Sequence, residues 1–322
     1  MDPTFFEGYT IKHKLGSGGY GDIFSVKSRN EKKLYALKTE HLDSPNRVMK
    51  NEIRMLKQLP DLPIFPKIIK SGKTSGLNYF VMPLYGPSLS IIRHNLEGGS
   101  FSLPTLLYVA KETFTIIEIL HQQGIVHCDV KPSNFLLNQV EYGGLVLIDF
   151  GLSSKFIDSN HNHITNQNSN GFRGTMKYAS INVHKMIEPT RRDDIISWFY
   201  SIIELFKGKL PWKDVQDSNL SMSCKASISI EKLCSGLPRQ MKIIWEKIKD
   251  LEFDEEPDYN GIRIELDEAI SENGINLPFE LDWESHNQII KQLSPHPELF
   301  DKECYQNYMS KESNKKKSCF IY

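Results

Sequence analysis

Between residues 9 and 40 apolar and polar positions alternate around the cluster Gly16-Ser17-Gly18-Gly19-Tyr20-Gly21. A period of two interrupted by glycines predicts a strand, a tight turn and two more strands of a small antiparallel sheet. Ser44 and Pro45 then offer an N-cap and a first-turn proline. Met49, Ile53 and Leu56 recur on one face before Pro60, so one short amphipathic helix is expected. Residues 78–84 form a last strand pattern, which Gly86-Pro87 breaks as a connector between two lobes. Beyond it the period becomes helical. Ser102 and Pro104 open a long helix through Leu106, Leu107, Val109, Ala110, Phe114, Ile117 and Leu120, closed by Gly124. Residues 194–206 are apolar on nearly every side, which predicts a helix buried on all faces as the axis of the second lobe. Further helical patterns lie near 238–251 and 259–271, and the last dozen residues are polar and lysine-rich without periodicity. The expected fold class is α+β. A small antiparallel-sheet lobe with one main helix covers 1–84, a larger, mainly helical lobe covers 85–294, and a polar tail covers 295–322.

Composition narrows the functional classes. The chain has 322 residues, 39% hydrophobic and 25% charged, which suits a globular protein and excludes fibrous and low-complexity readings. Lys plus Arg number 39 against 40 for Asp plus Glu, so there is no basic surplus to serve a general nucleic-acid binder. No run of about 18 apolar residues is present, and Met1-Asp2-Pro3-Thr4 carries neither a leader pattern nor a myristoylation glycine. The expected location is the cytoplasm, with the nucleus also open to it. Five cysteines (Cys128, Cys224, Cys234, Cys304, Cys319) form no CxxC pair, so free thiols in a reducing compartment are expected.

The glycine cluster matches G-x-G-x-x-G, which dinucleotide-binding folds and kinases share. A dinucleotide site needs a helix at once, whereas Asp22-Ile23-Phe24-Ser25-Val26 continues as a strand. Two readings stay open: a loop whose N–H groups close over phosphates, and an ordinary glycine-rich hairpin. Lys38 lies on the third strand pattern and Glu52 on the short helix. Lys38 can hold the α- and β-phosphates with Glu52 fixing it as an ion pair, but a solvated surface pair is the usual fate of these residue types. Two further loops carry more. His127-Cys128-Asp129-Val130-Lys131-Pro132-Ser133-Asn134 follows a helix and the strand-like Ile125-Val126, and Asp149-Phe150-Gly151 follows the apolar run 145–148. Their order suits phosphoryl transfer. Asp129 can accept or orient the acceptor hydroxyl's proton, Lys131 can neutralise charge on the transferring phosphate, and Asn134 and Asp149 offer hard oxygens to Mg²⁺. A cysteine-nucleophile triad of His127, Cys128 and Asp129 is set aside, because adjacent residues on extended chain point in opposite directions.

Together these motifs resemble a eukaryotic protein kinase over about residues 9–285. Ala179-Ser180-Ile181-Asn182, Arg191-Arg192-Asp193-Asp194 and Leu210-Pro211-Trp212 resemble the casein kinase I group. Gly171-Phe172-Arg173-Gly174-Thr175 and Leu281-Asp282-Trp283-Glu284 are most similar to its tau-tubulin kinase branch. The resemblance implies the two-lobed kinase fold, with ATP in the cleft, Mg²⁺ as its companion, and γ-phosphoryl transfer to serine or threonine hydroxyls. By matched position, Gly16, Gly18 and Gly21 cover the phosphates, Lys38 pairs with Glu52, and Asp129 is the base. Ile23, Ala36 and Leu136 sandwich the adenine. Met82 is the gatekeeper, and Leu84 and Tyr85 give the hinge backbone. Thr175 bonds Asp129 and Lys131, and Asp194 holds the catalytic-loop backbone, although a plain N-cap role for Asp194 remains an alternative. Lys131-Pro132-Ser133 resembles the serine/threonine type. The rival class is a pseudokinase acting as a scaffold, against which Lys38, Glu52, Asp129, Asn134 and Asp149 are all in place.

Two features depart from the family. Cys128 stands where many kinases carry an arginine that captures an activation-segment phosphate, so no need for such phosphorylation is expected. Residues 157–170 are longer and richer in Asn and His than the group pattern; a solvated polar loop is favoured there over metal binding by His161 and His163. Lys177, with Arg191 and Arg192, is a candidate anion site implying acidic or already phosphorylated protein substrates, against the alternative of a solvated charge cluster. Lys315, Lys316, Lys317 and Cys319 have the form of a polybasic prenylation box, a candidate peripheral membrane contact, although Tyr322 is not a usual terminal residue for it and a frayed tail competes. A monomer is expected.

Overall fold

The alternation between residues 9 and 40 forms three long strands, β2 (Tyr9–Gly18), β3 (Gly21–Ser28) and β4 (Leu34–His41). With β1 (Phe5–Phe6), β5 (Lys70–Lys73) and β6 (Leu77–Pro83) they make one antiparallel sheet in the order β1-β2-β3-β4-β6-β5. The computed structural model describes residues 5–18, 21–31, 33–44, 47–74, 76–138, 144–276 and 279–285. Among them the backbone divides into two units, 5–87 with 136–151, and 88–135 with 152–285.

Register sorts the side chains of the first unit. Residues opposite each other on neighbouring strands share a face, and faces alternate along each strand. Pairing of Phe24 with Leu37, Leu37 with Val81, and Val26 with Tyr35 therefore builds one face. On it Val26, Tyr35, Leu37, Tyr79 and Val81 are buried, with Phe6, Tyr9, Ile11 and Phe24 packed against them. Pairing of Ile23 with Lys38 and Ala36 with Met82 places these four on the opposite face.

Helix α1 (Met49–Leu56) begins later than the Ser44-Pro45 signal suggests; Pro45 itself lies outside the described residues. Its N-cap, Val48, has no side-chain acceptor, so the Glu40 carboxylate from β4 accepts hydrogen bonds from the N–H groups of Val48 (2.8 Å) and Met49 (2.9 Å). Strands β8 (Phe135–Leu137) and β9 (Leu145–Leu147) pair with each other. Gly86 N–H donates to Leu137 O at 2.8 Å and Leu147 N–H to Ile64 O at 3.0 Å, which ties 136–151 to the first unit, a return that a chain division at 84/85 does not describe.

The second unit is mainly helical: α2 (Leu89–Asn95), α3 (Leu103–Gln122), α4 (Ile181–His184), α5 (Arg191–Lys207), α6 (Ser218–Ser227), α7 (Ile230–Leu233), α8 (Gln240–Ile248) and α9 (Tyr259–Glu272), with the short strands β7 (Ile125–Val126) and β10 (Ser154–Lys155) paired antiparallel. As expected, α5 is its axis: every residue from Arg192 to Leu205 is buried. A capping box of Thr190 and Asp193 starts this helix and left-handed Gly208 ends it. Helix α3 packs along α5, where Trp198 Nε1–H donates to Thr113 Oγ1 at 3.0 Å and the Phe114 and Trp198 rings lie 5.0 Å apart. Among the described residues no helix is long and apolar enough to cross a membrane.

Candidate active site

In the first unit, Lys38 stands at the centre. Its Nζ lies 2.7 Å from Glu52 Oε2 and 2.8 Å from Asp149 Oδ1, and Glu52 is only 2% exposed, so the solvated-pair alternative is overturned. Strand β4 aims Lys38 from the face shared with Ile23, Ala36 and Met82, while α1 brings Glu52. Burial works against the ammonium, yet the two carboxylates hold its pKa above the ordinary lysine value. Asp149 adopts a left-handed backbone (φ 69°), uncommon for a residue with a Cβ. The turn is held in place: Asn51 Nδ2 donates to Gly151 O at 2.9 Å, and the Phe150 ring packs edge-on to Phe65 at 6.0 Å.

The other nucleotide candidates lie in the same unit. Gly16 pairs with Ile23 and Gly18 with Gly21 at the β2–β3 hairpin, whose Gly19 and Tyr20 fall outside the described residues. At Gly21 (φ +132°) a Cβ would sit 1.8 Å from Thr39 O, so no other residue fits there. Leu84 is buried just after β6. Leu136 is half-buried beside Leu137, which bonds backbone at Gly86 and Pro87.

In the second unit, Asp129 closes a triangle with Lys131 and Thr175. Lys131 Nζ donates to Asp129 Oδ2 (2.6 Å) and Thr175 Oγ1 (2.9 Å), and Thr175 Oγ1–H donates to Asp129 Oδ1 (2.8 Å). Asn134 Nδ2–H donates to Asp129 O at 2.9 Å. The loop is fixed from below by Asp194, which accepts from the backbone N–H of His127 (2.6 Å) and Cys128 (2.9 Å) and lies 3.1 Å from His121 Nε2. Asp194 is therefore a support inside α5, and its N-cap alternative falls to Thr190 and Asp193. This grip explains how Cys128 keeps a left-handed φ of 65°. Burial, and then the Asp194 charge, pushes the Cys128 thiol well above its ordinary pKa, which is the opposite of an activated nucleophile.

Lys177, Arg191 and Arg192 are not brought together. Lys177 Nζ lies 2.7 Å from Glu204 near the end of α5, about 20 Å along the helix from Arg191 at 1.5 Å per residue. Arg191 donates to Asp254 O (2.8 Å) and lies over the Phe156 ring; buried Arg192 donates to Leu251 O (3.0 Å). The anion-site expectation is corrected: both guanidinium groups are committed elsewhere, and the Lys177 ammonium is itself paired with Glu204. His163 packs between the rings of Phe156 and Phe253. Lys315, Lys316, Lys317 and Cys319 lie outside the described residues. Sequence reasoning missed the Arg173–Glu188 ion pair (2.7 Å) and the Ser180–Asp193 hydrogen bond (2.5 Å), for which only the Thr190-x-x-Asp193 capping pattern gave a local signal.

The sequence matches the protein kinase domain family over residues 9–293. A probable serine/threonine-protein kinase of Dictyostelium discoideum is 34% identical over 278 residues, covering 86% of this chain and 56% of that protein. The chain belongs to the protein kinase family. It spans about half the length of the curated relative it matches. An antiparallel-sheet unit and a mainly helical unit are the α+β architecture of a kinase domain.

The kinase family implies ATP and Mg²⁺, and the donor set fits them. Mg²⁺ takes few protein ligands and completes its shell with phosphate and water oxygens. Among the described residues no cluster of three His, Cys, Asp or Glu side chains forms a cage, and within the first unit Asp149 carries a hard carboxylate oxygen of the kind such an ion takes. Glu52 sets a pH dependence. Burial pushes its carboxyl up to about 7 against the pull of Lys38. Below that pH Glu52 carries a proton and Lys38 loses one of its two anionic partners; above it the ion pair is intact. The kcat/KM for ATP is expected to show an acid limb with its midpoint near pH 7 that Glu52→Gln removes, along with most of the plateau rate. A pH–rate profile of both proteins checks this, and an unchanged limb in the Gln variant assigns it to another group.

Proposed function

We propose that this chain is a serine/threonine protein kinase that transfers the γ-phosphate of ATP to protein hydroxyls. The observation that carries the reading is the Asp129 triangle: a side-chain hydroxyl, that of Thr175, already donates to the carboxylate that an acceptor hydroxyl would use. In the reaction Asp129 takes or orients the acceptor proton, the acceptor oxygen bonds to phosphorus, and the bond to ADP breaks. Lys131 neutralises charge on the transferring group. Lys38, held by Glu52, pairs with the nucleotide phosphates, and Ile23, Ala36, Met82, Leu84 and Leu136 take the adenine. Asp149 of the first unit and Asn134 of the second are the residues whose hard oxygens would hold Mg²⁺, which would supply charge neutralisation on the phosphates. The finer placement is in the casein kinase I group, in its tau-tubulin kinase-like branch, on the motifs around Ala179, Arg191 and Gly171. Transfer of ³²P from labelled ATP to casein or a peptide panel tests the reading; ATP binding without transfer to any acceptor turns it into a pseudokinase. The Lys177 ammonium is paired with Glu204 at 2.7 Å, so no preference for acidic neighbours is expected from it, and a peptide array showing a clear gain from them would overturn this.

The active arrangement requires no phosphate on the activation segment. Cys128 offers no positive charge to capture one, while fixed contacts do that work: Arg173 pairs with Glu188 at 2.7 Å, and Ser180 bonds Asp193. Phosphatase-treated protein, verified by mass spectrometry, is expected to retain its rate within about twofold, since no charge-assisted contact is lost. A collapse after dephosphorylation overturns this.

A further inference from the structure

Helix α6 turns a polar face inward. Ser218, Ser221 and Lys225 follow one another at spacings of three and four, which places them on one side of a helix. Lys225 is only 4% exposed. A lysine this deep in a protein is uncommon unless its charge is satisfied. Its three donors are all used: Nζ lies 2.7 Å from Met176 O, 2.7 Å from Ala179 O and 2.9 Å from His184 Nε2. The Tyr200 and Trp212 rings flank it at 5.6 and 5.5 Å. Burial pulls this ammonium down to about 7, so the acceptors and ring faces are what its charge leans on. Burial, and then the Lys225 charge, pushes His184 down to about 4, leaving its imidazole neutral and able to accept. Ser218 Oγ, also on α6, lies 2.8 Å from His184 Nδ1 and orients that ring.

Residues 175–179 are the segment so gripped. Thr175 O accepts from the N–H groups of Tyr178 (2.9 Å) and Ala179 (3.1 Å), closing a tight turn from within. Trp212 Nε1–H donates to Lys177 O at 2.7 Å, and Glu204 accepts from both Lys177 Nζ and the Tyr178 hydroxyl. Lys225 therefore joins the two ends of a turn whose first residue is Thr175, the hydroxyl bonded to Asp129 and Lys131.

We propose that Lys225 is a positioning residue for the acceptor-peptide site: one buried ammonium, delivered by α6, spans Met176 O and Ala179 O and so holds the turn that begins at Thr175 in register with Asp129. The role rests on the kinase reading above. The bonds of Lys225 go to Met176 O, Ala179 O and His184 Nε2, so its effect reaches the reaction through the backbone of 175–179.

The test compares wild type with Lys225→Met and Lys225→Gln in peptide and ATP kinetics and in amide hydrogen exchange. Methionine fills the space without a donor, and kcat/KM for peptide is expected to fall at least about tenfold while KM for ATP stays within about twofold. Amides 176–180 should exchange faster in this variant, with α3 and α8 unaltered. Glutamine, a shorter side chain with one donor group, should fall between the two proteins; if the methionine variant does not fold, the glutamine variant carries the same comparison. Equal losses for ATP and peptide with faster exchange throughout the second unit would mean ordinary destabilisation and overturn the proposal, as would unchanged exchange at 176–180. Wild-type protein that transfers no phosphate defeats the kinase reading by itself, and the exchange result then still judges whether Lys225 fixes the turn.

Discussion

Lys38→Met is expected to lower kcat/KM for phosphoryl transfer on the order of 10²-fold or more in a protein that still folds. The ammonium bonds two carboxylates at once, 2.7 Å from Glu52 and 2.8 Å from Asp149. Its removal takes away the charge that would meet the nucleotide and also frees Asp149 from one of its anchors. Methionine fills a similar volume, and Glu52, whose burial already pushes it up to about 7, can take a proton instead of standing as an unpaired anion. The loss should therefore appear in activity much more than in stability. Steady-state assays with labelled ATP, beside a denaturation curve, separate the two. A variant within tenfold of wild type would remove Lys38 from the reaction.

Asp194→Ala should do the reverse and strike the fold first. The carboxylate is 1% exposed and accepts two backbone N–H bonds, from His127 and Cys128, besides facing His121. Alanine strands two buried donors and releases a loop whose Cys128 sits in an unfavourable left-handed conformation. A cost of about 3–5 kcal/mol is expected, in the range for breaking a buried charged contact. Denaturant unfolding measures it as a lower midpoint at unchanged slope. A shift worth under about 1 kcal/mol would show that the loop holds itself.

Most of the first unit was legible because strands with one buried face write their period into the sequence, as β2 to β4 do. The same alternation, once register is known, places Ile23, Ala36, Lys38 and Met82 together. Helix α5 was legible for the opposite reason: burial on all sides leaves no period, only a long apolar run. Helix α6 was not. Its inward residues are Ser221 and Lys225, with Ser218 at its first turn, so a search for apolar recurrence passes over it. The start of α1 was misplaced because its cap is Glu40, a residue of another element, and no local pattern announces a cap supplied at a distance. Arg191 and Arg192 looked like partners of Lys177 because charge in a sequence carries no direction. On the helix they lie near one end and Glu204 near the other.

That last arrangement makes α5 a ruler. Asp194 fixes the catalytic loop near its start and Glu204 holds Lys177 and Tyr178 near its end, about 15 Å apart by helical rise. Adding or deleting one residue between them would turn one anchor by about 100° relative to the other. Point changes along this rod alter packing by degrees, whereas a single-codon insertion would swing one grip out of reach, so natural length variation should be confined to segments outside its 17 residues.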